Sequence, residues 1–133
     1  MSKAERSMFI IEDDHGFRDT FLDVMQLRGF EAHGASSGAE GLRALQTLRP
    51  SVIVLDVQLP DVHGFDLCRR IKRSEAFART PVIFLSASTH YSDARDQAEG
   101  FLAGASLFLP KPITMDRLWS VIEKLLEGQA TVS

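Results

Sequence analysis

The chain has 133 residues, of which 44% are hydrophobic, 25% charged and 8% aromatic, and its formal net charge is −3. This length fits one domain with a full hydrophobic core, and the composition excludes a disordered or fibrous protein. The slightly acidic balance and the lack of a membrane-length apolar stretch argue against direct binding to nucleic acid or membranes, and we expect a cytoplasmic protein.

The chain begins with a strand, helix and strand pattern. An apolar run over 8–12 predicts a short buried strand, and apolar residues at helical spacing predict a helix over 16–28. Gly29 occupies the position just past a helix end, where glycine is favoured. A second, weaker strand is predicted over 30–33.

A second helix and a central strand follow. Ser37 and Glu40 form a capping-box pattern, and leucines at helical spacing continue until Pro50 ends the helix. The run over 51–56 is almost entirely β-branched or leucine and shows no alternation with polar residues. This pattern is typical of a strand that is buried on both faces of a sheet.

The second half of the chain repeats the alternation of helices and strands. The predicted elements are a helix over about 65–73, a strand over 81–86, a helix over 93–103, a strand over 106–109 and a helix that begins near Thr114. Such alternation predicts an α/β fold with a parallel sheet covered on both faces. We assign residues 1–7 to a polar N-terminal extension, 8–126 to the domain and 127–133 to a C-terminal tail.

Four of the apolar runs stop at residues that carry charge or donate a hydrogen bond. The residues at these four ends are Glu12-Asp13-Asp14, Asp56, Ser86 and Lys111. Because the carboxyl ends of parallel strands meet at one edge of a sheet, we expect these side chains to share one site. Open α/β sheets bind their ligands at that edge.

The acidic residues of this edge predict a site for a divalent cation. Two carboxylates about 4 Å apart repel by roughly 4 kcal/mol at an effective dielectric constant near 20, so Glu12, Asp13 and Asp56 require a counter-charge. Their ligand atoms are hard oxygens, which suit Mg²⁺ together with a phosphate. Lys111 and Ser86 add an ammonium and a hydroxyl that can bind phosphoryl oxygens while a carboxylate attacks the phosphorus.

Each of these residues also has an ordinary structural interpretation. Asp13 or Asp14 could simply cap the helix that follows, and we favour this role for Asp14. Lys111 alone would be a surface lysine, and Ser86 alone would be a turn residue. Their combination at four strand ends favours a functional site.

The motifs around these residues resemble the receiver domain of bacterial two-component response regulators, over about residues 8–126. The matching segments are Ile10-Ile11-Glu12-Asp13-Asp14, Leu55-Asp56-Val57-Gln58-Leu59-Pro60-Asp61 with Gly64, Pro81 through Ala87, and Gly104-Ala105 through Pro112. The resemblance implies a single-domain flavodoxin-like (βα)5 three-layer sandwich with strand order 2-1-3-4-5. It also implies a phosphorylation-dependent signalling switch of a phosphorelay, not a classical turnover enzyme.

The same resemblance assigns the chemistry to named residues. Asp56 would accept a phosphoryl group from a phosphohistidine on a histidine kinase or a histidine phosphotransfer protein. Mg²⁺ would be held directly by Asp13, Asp56 and the backbone carbonyl of Gln58. Glu12 would act on the ion through water.

Other residues would bind and read the phosphoryl group. Lys111, joined to Pro112 by a cis peptide bond, would contact the phosphoryl oxygens, as would Ser86 and the backbone amide of Ala87. Ser86 would move toward the phosphoryl group, and Phe108, at the switch position of the family, would turn inward. The two movements would shift the population of surface conformations around Phe108.

Two positions depart from the commonest pattern of the family. Gln58, two residues after the phosphoacceptor, replaces a frequent methionine, and Ser88 stands two residues after Ser86. Both flank the path of a water molecule that attacks the acyl phosphate. We hypothesise that they tune the lifetime of the phosphoryl group.

Two other functions stay open at this point. An aspartyl-phosphate phosphohydrolase similar to the haloacid dehalogenases would have a second acid two residues after its nucleophile, where this chain has Gln58. A pseudo-receiver that binds partners without phosphorylation would typically lack the acidic pair, the phosphoacceptor or the lysine, and all of these are present. The output would be a downstream protein or a covalently linked domain, and a homodimer is one option.

Overall fold

The structure, a computed structural model, describes residues 6–87 and 94–132. Its strands are β1 (Ser7–Ile11), β2 (Glu31–Ala35), β3 (Val52–Asp56), β4 (Val82–Ser86) and β5 (Leu107–Pro110). Its helices are α1 (His15–Leu27), α2 (Gly38–Ala44), α3 (Gly64–Lys72), α4 (Ala94–Leu102) and α5 (Met115–Val132). Asp93, the predicted first residue of α4, and Ser88 lie outside the described residues.

The five strands form one parallel sheet in the order β2-β1-β3-β4-β5, which confirms the predicted α/β fold and its topology. The register aligns the carboxyl ends of the strands. Asp56 of β3 lies beside Leu85 of β4, and Ser86 lies beside Pro110 of β5. The polar residues that follow these strands therefore meet along one edge of the sheet, as predicted.

The sheet is covered on both faces because its buried strands present apolar side chains alternately to each side. Phe9 and Phe84 belong to one core, together with α3 residues such as Cys68. Met8 and Ile10 belong to the other, together with the buried residues of α1 and α5. Cys68 is buried, and burial raises the pKa of its thiol to about 11.

Helix α2 is shorter than its sequence pattern predicts, ending at Ala44 and not near Pro50. The amides of Gln46 and Thr47 bond to carbonyls only three residues back, so the chain tightens into a turn. The guanidinium of Arg49 donates 2.8 Å hydrogen bonds to the carbonyls of Leu45 and Leu48, which satisfies acceptors at the end of the helix.

Helix α5 runs to Val132, so it includes residues for which the sequence predicts a tail. Gly128 does not interrupt it, and a Cβ built at this position meets no atom within 4 Å. An isolated glycine costs only about 1 kcal/mol in a helix, which the packing of buried Leu126 can offset. Among the described residues, no helix is both long enough and apolar enough to cross a membrane.

Candidate functional site

The turn after β1 is fixed by three hydrogen bonds. The amide of Glu12 donates to the carbonyl of Ala35 at 3.0 Å, and the guanidinium of Arg18 donates to the carbonyl of Glu12 at 2.8 Å. Asp14 caps α1 by accepting a 3.1 Å bond from the amide of Phe17, as predicted. The Glu12 side chain is thereby buried, whereas Asp13 stays exposed.

Asp56 ends β3 with 7% of its surface exposed. Its carboxylate accepts a 3.2 Å hydrogen bond from the amide of Gln58. Gly64, the first residue of α3, packs its backbone against that of Asp56, since a Cβ at Gly64 would lie 2.5 Å from the Asp56 carbonyl oxygen. This close approach requires glycine, and it places the loop over 57–63 directly beside Asp56.

Three carboxylates converge at the edge of the sheet. Glu12, Asp13 and Asp56 each present an oxygen, and these oxygens lie within 4.8 Å of one another. The donor set consists of hard oxygens from one exposed and two buried acids. Its composition and spacing fit a small hard cation such as Mg²⁺.

The two buried acids have pKa values shifted in opposite directions. Burial, the hydrogen bond between Asp56 and Glu12 and the negative charge of Glu12 together raise the pKa of Asp56 to about 8, although Lys111 opposes the shift. Burial also raises the pKa of Glu12, but its hydrogen bonds to Asp56 and Lys111 outweigh burial and lower that pKa overall. The surroundings therefore favour ionisation of Glu12 over ionisation of Asp56, and a bound cation would favour ionisation of Asp56.

Lys111 is the counter-charge of the buried acids. Its ammonium donates to Glu12 and lies 4.8 Å from the centre of the Phe17 ring. Its backbone amide donates to the carbonyl of Ser86 at 2.8 Å, which joins the ends of β4 and β5. The peptide bond to Pro112 is cis, as the family resemblance implies.

Ser86 and Phe108 lie on adjacent strands. Ser86 is 4% exposed at the end of β4, and Ala87 follows it at the surface. Phe108 of β5 is half-buried, with its ring centre 6.2 Å from that of Phe65 and 6.0 Å from that of Phe84. Helix α4 passes over this group at Gly100, where a Cβ would lie 3.1 Å from the Phe108 ring.

The structure thus brings Glu12, Asp13, Asp56 and Lys111 into one cluster, with Ser86 beside Lys111 and the exposed Gln58 beside Asp56. The sequence did not indicate that Phe17 contacts Lys111 or that Arg18 binds the Glu12 carbonyl, because both residues fit an ordinary amphipathic helix. His63 is exposed in the loop before α3, and its Nδ1 accepts a 3.1 Å hydrogen bond from the amide of Phe65, so this side chain caps the helix.

A sequence model of the response regulator receiver domain family matches residues 8–123. The chain is 36% identical to the transcriptional regulatory protein GltR of Pseudomonas aeruginosa, over 95% of this chain. Among solved structures, CheY4, a chemotaxis response regulator of Vibrio cholerae, is 25% identical with a TM-score of 0.83, covering 90% of this chain and 97% of CheY4. The non-phosphorylated receiver domain of HemR from Leptospira biflexa is 27% identical with a TM-score of 0.81, covering 91% of this chain and 94% of that domain.

The chain spans about half the length of the curated relatives that it matches. It covers 51% of GltR. It covers nearly all of the CheY4 chain, which consists of the same unit. The similarity to GltR therefore concerns this unit and not the remainder of that protein.

Proposed function

The chain belongs to the response regulator receiver domain family of two-component systems, and we propose that Asp56 is its phosphoacceptor. The family predicted from the motifs is thereby confirmed, and we infer that this chain acts as a phosphorylation switch and not as a turnover enzyme. In this proposal, Asp56 takes the phosphoryl group from a phosphohistidine of a partner protein. The phosphorylated domain then presents an altered surface.

One observation supports Asp56 above all. Asp56 is a buried carboxylate with two further acids, Glu12 and Asp13, beside it. The positive charge of Lys111 only partly offsets the rise in its pKa. Ionisation of such a buried carboxylate costs free energy. A bound cation or a covalent bond to a phosphoryl group would lower this cost, because each supplies an interaction that the surrounding residues do not. A purely structural carboxylate at this position would be expected to have one permanent cationic partner of its own.

We propose that Asp13, Asp56 and the backbone carbonyl of Gln58 hold Mg²⁺ directly, with Glu12 acting through water. The cluster of acidic oxygens supports a divalent cation at this site. When bound, Mg²⁺ neutralises negative charge on the incoming phosphoryl oxygens. Glu12 keeps Lys111 at the site, so the protein's own cation is already in place.

The proposed reaction is a direct displacement at phosphorus. A carboxylate oxygen of ionised Asp56 forms the new O–P bond, and the N–P bond of the phosphohistidine breaks with its electron pair left on the imidazole nitrogen. Lys111 is the cation that can stabilise the charge on the phosphoryl oxygens during this exchange. The product is an acyl phosphate on Asp56 and a free histidine on the donor.

The proposed switch uses Ser86, Ala87 and Phe108. A phosphoryl group adds nearly two negative charges and three acceptor oxygens, which the Ser86 hydroxyl and the Ala87 amide would bind. Movement of Ser86 would leave room for Phe108, whose ring is half-buried against Phe65 and Phe84. Inward rotation of Phe108 would then alter the surface formed by α4, β5 and α5.

The partners follow from the same proposal. The donor is a histidine kinase or a histidine phosphotransfer protein in the cytoplasm. GltR, a transcriptional regulatory protein, is about twice as long as this chain, so we propose that the altered surface acts on a separate downstream protein or on a linked output domain. Direct contact with nucleic acid is not part of the proposed role of residues 8–126.

Transfer from a phosphorylated histidine phosphotransfer protein tests this function. We expect the phosphoryl group to leave the donor and to appear on this chain as a hydroxylamine-sensitive acyl phosphate that peptide mapping places at Asp56. Asp56→Asn should leave the donor phosphorylated. Label on a histidine or serine of this chain, or equal transfer to Asp56→Asn, would contradict the assignment.

A further inference from the structure

The ammonium of Lys111 has two different neighbours. It donates a hydrogen bond to Glu12 and lies over the face of the Phe17 ring, 4.8 Å from the ring centre. The Lys111 side chain is only 15% exposed. A charge so far removed from water depends on these two contacts, and the ring supplies an attraction that uses none of the three N–H donors.

Phe17 is held firmly enough to serve as a fixed surface. It lies in the first turn of α1, where its amide donates to the capping carboxylate of Asp14 at 3.1 Å. The next residue, Arg18, donates to the carbonyl of Glu12 at 2.8 Å. The turn that carries the acids and the turn that carries the ring are therefore bound to each other at two points.

We propose that Phe17 is a positioning residue, whose ring face holds the Lys111 ammonium within reach of both Glu12 and a phosphoryl group on Asp56. This inference rests on the proposed phosphoryl transfer to Asp56. The hydrogen bond from the ammonium to Glu12 would break when the ammonium turns toward the phosphoryl oxygens. The attraction to the ring face does not depend on which N–H points at the ring, so the ammonium can make this change while it stays over the ring.

The ring also limits the freedom of a long side chain. An unrestrained lysine side chain loses rotamer entropy when it becomes ordered. With the ring in place, much of this loss has already occurred before the phosphodonor arrives. Phe17 thus raises the fraction of molecules in which Lys111 can act, although it contacts neither the donor nor the phosphorus.

Kinetics of phosphorylation by phosphoramidate with Mg²⁺ give the first test. Phe17→Leu keeps an apolar side chain but loses the ring, and we expect it to slow phosphorylation about three- to tenfold, as a cation–π contact of roughly 0.7 to 1.4 kcal/mol predicts. Phe17→Tyr should restore the rate. Phe21→Leu is the matched control, because Phe21 lies one turn later in α1 in the core, and its rate should stay within twofold of the wild type.

A double-mutant cycle separates positioning from packing. In a Lys111→Met background, Phe17→Leu should have no further effect on the rate, because the ring then has no ammonium to hold. An equal loss in both backgrounds would overturn the proposal and assign Phe17 to the core alone. Equal rates for the wild type and Phe17→Leu would overturn it as well.

The NMR chemical shift of the Lys111 ε-methylene protons reports whether they lie over the Phe17 ring, and a purely structural role of Phe17 would not require this shift. We expect these protons upfield of their position in Phe17→Leu, both before and after phosphorylation. A return to the Phe17→Leu position on phosphorylation would show that the ammonium leaves the ring, and would overturn the proposal. If the wild type takes up no phosphoryl group at all, the proposed function fails instead, and the shift before phosphorylation still tests the ring contact.

Discussion

The carboxylate of Asp61 accepts a 2.9 Å hydrogen bond from the backbone amide of Gly38. Its second oxygen accepts another 2.9 Å bond from the amide of Ala39, so one side chain caps the start of α2. These two bonds hold the pKa of Asp61 below its usual range. Because Asp61 lies in the loop that follows Asp56, they attach that loop to a neighbouring helix.

Asp61→Ala should therefore lower the stability of the domain at neutral pH. The folded-state pKa is lower than the unfolded one, so the contribution of Asp61 is complete above the unfolded pKa and is lost as the pH falls through the folded pKa. The difference in urea midpoint between wild type and variant should be clear at pH 7 and should shrink steadily below about pH 4. Asp23→Ala, at an exposed position of α1, is the control, and an equal effect from both variants would argue against the cap.

Binding of Mg²⁺ should depend on pH through Asp56. Because burial and Glu12 raise the pKa of Asp56 to about 8, the cation must displace a proton at lower pH. The apparent affinity should fall by up to about tenfold for each pH unit below 8. Calorimetry in buffers with different ionisation enthalpies should detect the proton release, and Asp56→Asn should abolish it. An affinity that does not change between pH 6 and pH 8 would contradict the raised pKa of Asp56.

Gly64→Ala should destabilise the domain strongly, although it adds only one methyl group. The added Cβ would lie 2.5 Å from the carbonyl oxygen of Asp56 and 2.7 Å from the Cα of Val57, and these backbone atoms cannot rotate away. We expect a loss of about 1 to 3 kcal/mol in the free energy of unfolding, measured by urea denaturation. The same substitution at Gly128, where a Cβ meets nothing within 4 Å, should be stabilising by up to about 1 kcal/mol.

Gln58→Met should change the lifetime of the phosphorylated domain. The Gln58 side chain is exposed, while its amide donates to the carboxylate of Asp56 at 3.2 Å, so a substitution alters the approach to Asp56 without removing this bond. We expect the rate constant of phosphoryl loss to change severalfold while the rate of phosphorylation stays near that of the wild type. Unchanged hydrolysis would remove Gln58 from the residues that tune the lifetime.

Much of the fold could be predicted because its signals are local and strong. The doubly buried runs of β3 and β4 are continuous, and Ser37 does accept the predicted bond from the amide of Glu40. Two helix ends differ from the prediction. Helix α2 ends at Ala44, and the chain beyond it tightens into a turn in which Arg49 binds the carbonyls of Leu45 and Leu48. Helix α5 continues past Gly128, because an isolated glycine is only a weak stop signal.

The candidate site also has features that the sequence predicts and features that it does not. Its residues stand at strand ends, so topology alone brings Glu12, Asp56 and Lys111 together. The opposite pKa shifts of Glu12 and Asp56 could not be predicted, because they depend on the burial of each carboxylate and on its contacts with the other acid and with Lys111. The contact between Phe17 and Lys111 joins residues far apart in the sequence, and no pattern in either segment indicates it.

Intact mass after incubation with a small phosphodonor tests the central claim most directly. The comparison has four arms: the wild type and Asp56→Asn, each with Mg²⁺ or with a chelator. We predict the mass increase of a single phosphoryl group in the wild type with Mg²⁺ and none in the other three arms. An adduct that forms on Asp56→Asn, or no adduct on the wild type with Mg²⁺, would contradict the assignment of Asp56 as the phosphoacceptor.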